Sequence, residues 1–321
     1  MDPKLSVAPV SAKAPGKINI CFSVGSLRPD GTRGVATLYQ AVSIYDTVIA
    51  HPSADFSLQQ VGSIGYGTVS SSENNLAMRS ARLLAETFEV KSGVRLEINK
   101  KIPRGAGMSG GSADAAAALV ACNELWGLNL ERAQLHEIAV KIGADVSFAL
   151  DGGTAVGTGH GDEFSQALSV GTYHWVIVPV GPRLDEDTAL SVLDKHRHQN
   201  RAIIGDGDEV PLVSLDTLLA IRSGSAERLA ETVRNDVQAA SFKLEPELAR
   251  VCEYGEQNGA LVGVMLAMGP ALAFLVQDEG EASKLQHKLS DFGQKSIAAW
   301  GPVGGARLTE TRGTILEGKF F

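Results

Sequence analysis

The segment Pro103 to Ala115, PRGAGMSGGSADA, constrains this chain more than any other, because it sets four glycines between positions 105 and 111 where two opposite patterns meet. Before it, Val94 to Ile98 alternates apolar and polar residues like a half-buried strand; after it, Ala113 to Trp126 is alanine-rich and helical. A strand that enters a helix through such a turn brings several backbone N–H groups to one point. Gly105, Gly107, Gly110 and Gly111 have no Cβ, so they permit the positive φ and close approach that an anion-binding concavity requires. The helix adds its positive N-terminal end, and Ser109 and Ser112 add hydroxyls able to bond phosphate oxygens or a magnesium ion. These residues predict a phosphate cradle holding a nucleotide. The plain alternative is a ligand-free turn, whose glycines would cost conformational entropy without helping packing.

Two familiar loops are excluded on spacing. Gly105, Gly107 and Gly110 satisfy G-x-G-x-x-G, but the dinucleotide fold needs a hydrophobic strand after the helix, ending in an acidic residue about 20 positions on. Here Gly127 and Asn129 lead instead to a second helical pattern at Leu135 to Ile142. The gap from Gly105 to Gly110 also suits a Walker A loop, yet Gly111 stands where its lysine belongs. A triphosphate here therefore needs a cation from elsewhere in the chain. Lys17, beside Asn19 in APGKINI, is one source, although a lone lysine is more often a solvated charge. Asp145 in GADVSFAL reads either as a helix N-cap or as a working carboxylate.

The 321 residues suffice for two compact domains. A net charge of -8, from 29 basic and 37 acidic residues, argues against a nucleic-acid partner. Cys21, Cys122 and Cys252 are too few and too scattered for a disulfide framework or a zinc site. No signal peptide and no apolar run of about 18 residues is visible, so a soluble cytoplasmic protein without membrane contact is expected. Strand patterns at Lys17 to Val24, Leu38 to Ala50, Phe56 to Val61 and Val94 to Ile98 alternate with helical ones, and GGTAVGTGHG at Gly152 to Gly161 reads as a hairpin. The last third reads strand, strand, helix, strand, from Leu261 to Trp300. The pattern predicts an α+β fold, with residues 1–165 as a nucleotide-binding domain and 166–321 as a second domain. Arg183 to Val210 reads as surface helix and loop, Trp126, Trp175 and Trp300 as core, and the tail after Leu308 as weakly anchored. His196 and His198 lack a third ligand, so no dedicated metal site is expected.

Taken together and in order, the motifs resemble the GHMP kinase family across nearly the whole chain. APGKIN, RPDG at Arg28 to Gly31, ENNLA at Glu73 to Ala77, the glycine loop, GADVSFAL, the hairpin and NDVQAA at Asn235 to Ala240 carry the likeness. It is greatest to the members that phosphorylate a cytidine-bearing polyol of the non-mevalonate isoprenoid pathway. The resemblance implies an N-terminal α/β domain with a left-handed βαβ crossover and a C-terminal ferredoxin-like domain. It implies ATP, with Mg2+ arriving on its phosphates, and a small-molecule alcohol as acceptor; the protein would be a monomer or homodimer. Pro103, Gly105, Gly107, Met108, Ser109, Gly110, Gly111, Ser112 and Ala113 would hold the phosphates and Asn75 would reach the adenine. Asp145 would be the general base and Lys17 its cationic partner, while Asn19, Asp30, Thr32 and Arg33 would face the acceptor.

Two departures bear on the acceptor and on ATP. After RPDG the cytidine-using members carry a tyrosine and a histidine, where this chain has Thr32 and Arg33. An aromatic face on a base contributes roughly 1–3 kcal/mol, so either a neighbour such as Tyr39 replaces it, Arg33 stacks or pairs with a diphosphate, or the acceptor is another polyol. The family's third motif reads MLAMGPA here, and Leu266, Ala267 and Met268 are expected to resist positive φ or to crowd the nucleotide. A catalytically impaired nucleotide-binding relative is the remaining alternative.

Overall fold

The computed structural model describes residues 8–61, 74–159, 163–181, 185–205 and 207–309. The first half contains β1 (Val10–Leu27), β2 (Arg33–Ser53), β3 (Ser57–Val61), α1 (Leu76–Thr87), β4 (Gly93–Asn99), α2 (Gly110–Leu125), α3 (Arg132–Ile142), α4 (Ala144–Asp151), β5 (Thr154–Thr158) and β6 (Glu163–Gln166). The second half contains β7 (Tyr173–Pro179), α5 (Glu186–Gln199), α6 (Arg201–Ile204), α7 (Leu215–Ser223), α8 (Ala226–Ala230), β8 (Arg234–Asn235) and α9 (Gln238–Leu244). It continues with α10 (Pro246–Gln257), β9 (Val262–Met265), β10 (Ala271–Val276), α11 (Glu279–Asp291), β11 (Ile297–Gly301) and β12 (Arg307–Leu308). The expected α+β class holds. The expected hairpin is β5 with β6, although His160 and Gly161 at its turn lie outside the described residues, as do Glu73 of ENNLA and the tail from 310 onward.

One sheet is organised around β1 and β2, paired antiparallel over most of their length, with β4 and β3 following β2. β3 and β4 run parallel with α1 between them, which makes the βαβ unit. The β1–β2 register slips at Pro15/Gly16, at Asn19/Cys21 and at Val24/Leu27, and such bulges bend a strand and re-aim its side chains. Two of those slips bracket Lys17 and Asn19. The other sheet has the antiparallel order β11-β7-β10-β9, which in chain order is 4-1-3-2, the ferredoxin-like arrangement.

Neither sheet has a core of its own. Alternate residues of β7 and β10 face opposite ways: Trp175, Ile177, Ala273 and Leu275 join a hydrophobic cluster with Ile18, Ile20, Leu38 and the alanines of α2. Val176, Val178, Leu272 and Phe274 join a second cluster with Phe22 and Val24 of β1. The Trp175 indole N–H donates to Gln40 Oε1 of β2 at 3.0 Å, and β8 and β12, both from the second half, pair with β1. Helix α2 buries Ala113 and Ala115 to Ala118 completely; these small side chains favour helix and let it lie close against the β1–β2 ribbon. The tryptophans divide: Trp175 is in the core and Trp126 half-buried, but Trp300 is 52% exposed, because alternation along β11 turns it outward.

Candidate active site

The glycine loop leaves β4 and enters α2 in the expected geometry. Gly105 and Gly107 adopt φ of +68° and +73°, and Ser109 is also left-handed at φ +53°. Ser109 makes no side-chain cap to α2. Its hydroxyl donates instead to Asp145 Oδ2 at 2.5 Å. Asp145 lies in the first turn of α4, with Gly143 in the N-cap position, so its carboxylate is not the cap of that helix. Met108 is buried, and its carbonyl accepts from the Lys17 amide at 3.1 Å, which seats the loop on β1. Pro103 and Ala113, at the loop's two shoulders, are also buried. Gly110 and Gly111 open α2, where the first amides have no partner within the helix. A Cβ on Gly111 would meet only Leu76 Cδ1, at 3.7 Å. The loop's own Arg104 donates to Gln60 at 3.1 Å.

A candidate cation stands beside the loop on β1. Lys17 is buried, and its Nζ donates to Asn19 Oδ1 at 2.7 Å and lies 5.0 Å from the centre of the Tyr39 ring. Burial pushes this ammonium below the ordinary lysine range, and the Asp145 carboxylate opposes that shift. Tyr39 neighbours both charges. Burial first, then the charge of Asp145 and a hydrogen bond to it, push the Tyr39 phenol above its ordinary range. The lysine and the aspartate, 128 positions apart, therefore converge on one tyrosine without a direct ion pair among the described residues. A desolvated ammonium of this kind is relieved by an arriving anion, so the loop, the first turn of α2 and Lys17 together fit a triphosphate.

The residues expected at the acceptor are each engaged by other protein groups. Both ends of the Asn19 amide are engaged by protein, since Nδ2 donates to Thr37 Oγ1 at 2.8 Å, and the side chain thus holds Lys17. Thr32 folds back on Asp30 through its amide at 2.9 Å and its hydroxyl at 2.7 Å, closing the exposed β1–β2 turn. Arg33 is an ion-pair partner of Asp194 on α5 and also donates to the Gly25 carbonyl. A carboxylate from the second half thus already pairs with the charge of this guanidinium. Next to it Arg197, 7% exposed, donates to Val24 O and Asp236 Oδ2, so this charged stretch is not simply surface. Tyr39 cannot serve as a base platform at this turn: it is 6% exposed and packed by Phe148 and Phe164. Asn75 caps α1, accepting from Ala77 N at 2.9 Å.

The third motif does not resist positive φ as expected. Leu266 is turned into the shared core, Met268 packs against the second cluster, and Ala267 takes a left-handed φ of +47° despite its methyl group. The sequence reading missed what holds it: Asn235 Nδ2 donates to the carbonyls of Met265 and Ala267, at 2.8 and 2.7 Å. It also missed a buried cluster of Lys100, Asp46 and Asp114 beneath the glycine loop. The available signal was an aspartate, Asp46, in the interior of the strand-like run from Leu38 to Ala50. Among the described residues no group of three or more histidine, cysteine, aspartate or glutamate side chains is placed to hold a metal ion, and no helix is long and apolar enough to cross a membrane.

A two-domain fold of this topology, with a glycine loop, a buried lysine and an aspartate on a short helix, defines a small-molecule kinase class, and the comparisons agree. The sequence matches the family described as GHMP kinases N terminal domain over residues 75–153 and GHMP kinases C terminal over 217–295. It is 46% identical over 300 residues to a 4-diphosphocytidyl-2-C-methyl-D-erythritol kinase of Leifsonia xyli subsp. xyli, covering 93% of this chain and 98% of the relative. A protein of the same name from Clavibacter michiganensis subsp. michiganensis is 45% identical, covering 93% of this chain and 96% of that one. A crystal structure of 4-(cytidine 5'-diphospho)-2C-methyl-D-erythritol kinase superposes with a TM-score of 0.73 at 27% identity, covering 92% of this chain and all of that one. The chain belongs to the GHMP kinase family.

Proposed function

We propose that this chain transfers the γ-phosphoryl group of ATP to a hydroxyl of 4-diphosphocytidyl-2-C-methyl-D-erythritol. The observation that carries the reading is the convergence of Lys17 and Asp145 on Tyr39, with Ser109 of the glycine loop bonded to the same carboxylate. The names of relatives 45–46% identical over 93% of the chain supply the acceptor. Phosphoryl transfer asks the protein mainly for alignment and for positive charge where the moving phosphoryl spreads negative charge. The loop amides and the first turn of α2 hold the β- and γ-phosphates, with the half-buried Ser112 hydroxyl available to the Mg2+ that accompanies them. Lys17, kept in place by Asn19, faces the γ-phosphate. Asp145 then takes the proton from the acceptor hydroxyl, exchanging its bond from Ser109 for one from the substrate.

A second reading, an acceptor without cytidine, is favoured by the turn at Thr32 and Arg33, whose polar groups are engaged by Asp30 and Asp194. ADP release in the presence of the cytidine-bearing alcohol and of a panel of simple polyols separates the two. Turnover on the former supports the first reading; turnover only on a polyol supports the second. Asp145→Asn is expected to lower kcat by roughly 10²- to 10⁴-fold with the affinity for ATP unchanged. Weakened ATP binding at normal kcat would refute the role given to Asp145.

A further inference from the structure

The buried cluster under the glycine loop connects its two ends. Lys100 is the residue after β4, Asp46 belongs to β2 and Asp114 to α2, and they are 6%, 0% and 2% exposed. Lys100 Nζ donates to Asp46 Oδ2, to Asp114 Oδ2 at 2.7 Å and to the Gly110 carbonyl at 3.1 Å, so its three protons are all engaged. The other oxygen of Asp46 accepts the Lys101 and Ile102 amides at 2.6 and 2.8 Å, immediately before the loop begins at Pro103. The entry to the loop thus hangs on Asp46 and its exit on Lys100 and Asp114. Packing is close here: a Cβ on Gly110 would lie 3.2 Å from Lys100 Nζ and 3.1 Å from Ile102 Cγ2.

We propose that Lys100, Asp46 and Asp114 are positioning residues that clamp both ends of the glycine loop and thereby set the affinity for the ATP triphosphate. This rests on the nucleotide reading above and adds residues that touch neither ATP nor acceptor. One ammonium faces two carboxylates, and Asp114 Oδ1 has no hydrogen-bond partner among the described residues. An ionised oxygen left so would be strongly disfavoured. The Asp114 carboxyl is accordingly pushed up to about 8, first by burial; Lys100 from the end of β4 opposes that shift and Asp46 from β2 adds to it. Above about pH 8 the Asp114 proton leaves and one more negative charge stands beneath the phosphate site.

Titration calorimetry of the full chain with Mg2+ and the non-hydrolysable analogue AMP-PNP, at pH 7 and pH 9, tests the clamp without any acceptor. In the wild type Kd is expected to rise about tenfold between the two pH values. Asp114→Asn, which keeps an acceptor for Lys100 and cannot ionise, is expected to show a clearly smaller rise between pH 7 and pH 9 than the wild type, the remainder coming from the desolvated Lys17 ammonium. Lys100→Met, if its circular dichroism is that of the wild type, is expected to weaken binding at least tenfold already at pH 7; if it does not fold, the Asp114→Asn comparison decides alone. Equal pH dependence in the wild type and Asp114→Asn, or a folded Lys100→Met that binds like the wild type, would overturn the proposal. A wild type that binds no analogue at either pH would take the nucleotide reading down with it, an outcome distinct from both.

Discussion

Gly107 and Ala267 lie on facing turns and both have left-handed backbones, at φ +73° and +47°, but they reach that conformation by different routes. Gly107 has no Cβ, so the conformation is open to it at little cost. Ala267 has one, and the left-handed region costs an ordinary residue about 1–2 kcal/mol. The difference is made up by Asn235, whose amide bonds the carbonyls of Met265 and Ala267 from β8. The two turns also interlock: a Cβ on Gly107 would lie 2.6 Å from the Leu266 carbonyl oxygen. Gly107 is therefore required twice, for its dihedral and for the room it leaves to its neighbour. The comparison teaches that one turn is permissive in itself and the other is held from outside.

The strongest challenge to that contrast is Gly107→Ala, which adds strain and a backbone collision together. It is expected to lower stability by about 3 kcal/mol, seen as a lower urea midpoint, and to weaken AMP-PNP binding as well; wild-type stability would show that the turns do not meet. Next comes Asn235→Ala, which strips two carbonyls and the Val237 amide of their partner. A loss of about 2 kcal/mol is expected, whereas a change under about 0.5 kcal/mol, the size of an ordinary surface substitution, would mean that Ala267 holds its conformation unaided. The smallest effect is Ala267→Gly, expected to gain up to about 1 kcal/mol as the strain is released against the added freedom of glycine in the unfolded chain. Combining it with Asn235→Ala sharpens the test, since the pair is expected to fall short of additivity if the amide exists to hold that residue.

The same contrast explains what the sequence revealed. The glycine loop was legible because its cause is local, with permissive residues between a strand and a helix. Lys17 and Asp145 became legible through their motifs, although each alone had a bland reading. Ala267 was misjudged because the group that holds it stands 32 positions away on β8. The pairing of Arg33 went unseen because Asp194, its partner, is 161 positions distant. The clamp was missed for the same reason: positions 46, 100 and 114 carry no common spacing, so the aspartate within β2 pointed to no partner. Long-range pairing of polar groups is what a one-dimensional pattern omits, and here it decides which charges are available to a ligand.

Because Trp175 bonds Gln40, and β8 and β12 both close onto β1, the polypeptide resists division at the joint between its two family segments. A gene split there would strip the first piece of two bordering strands and leave the second with half of a naked apolar face.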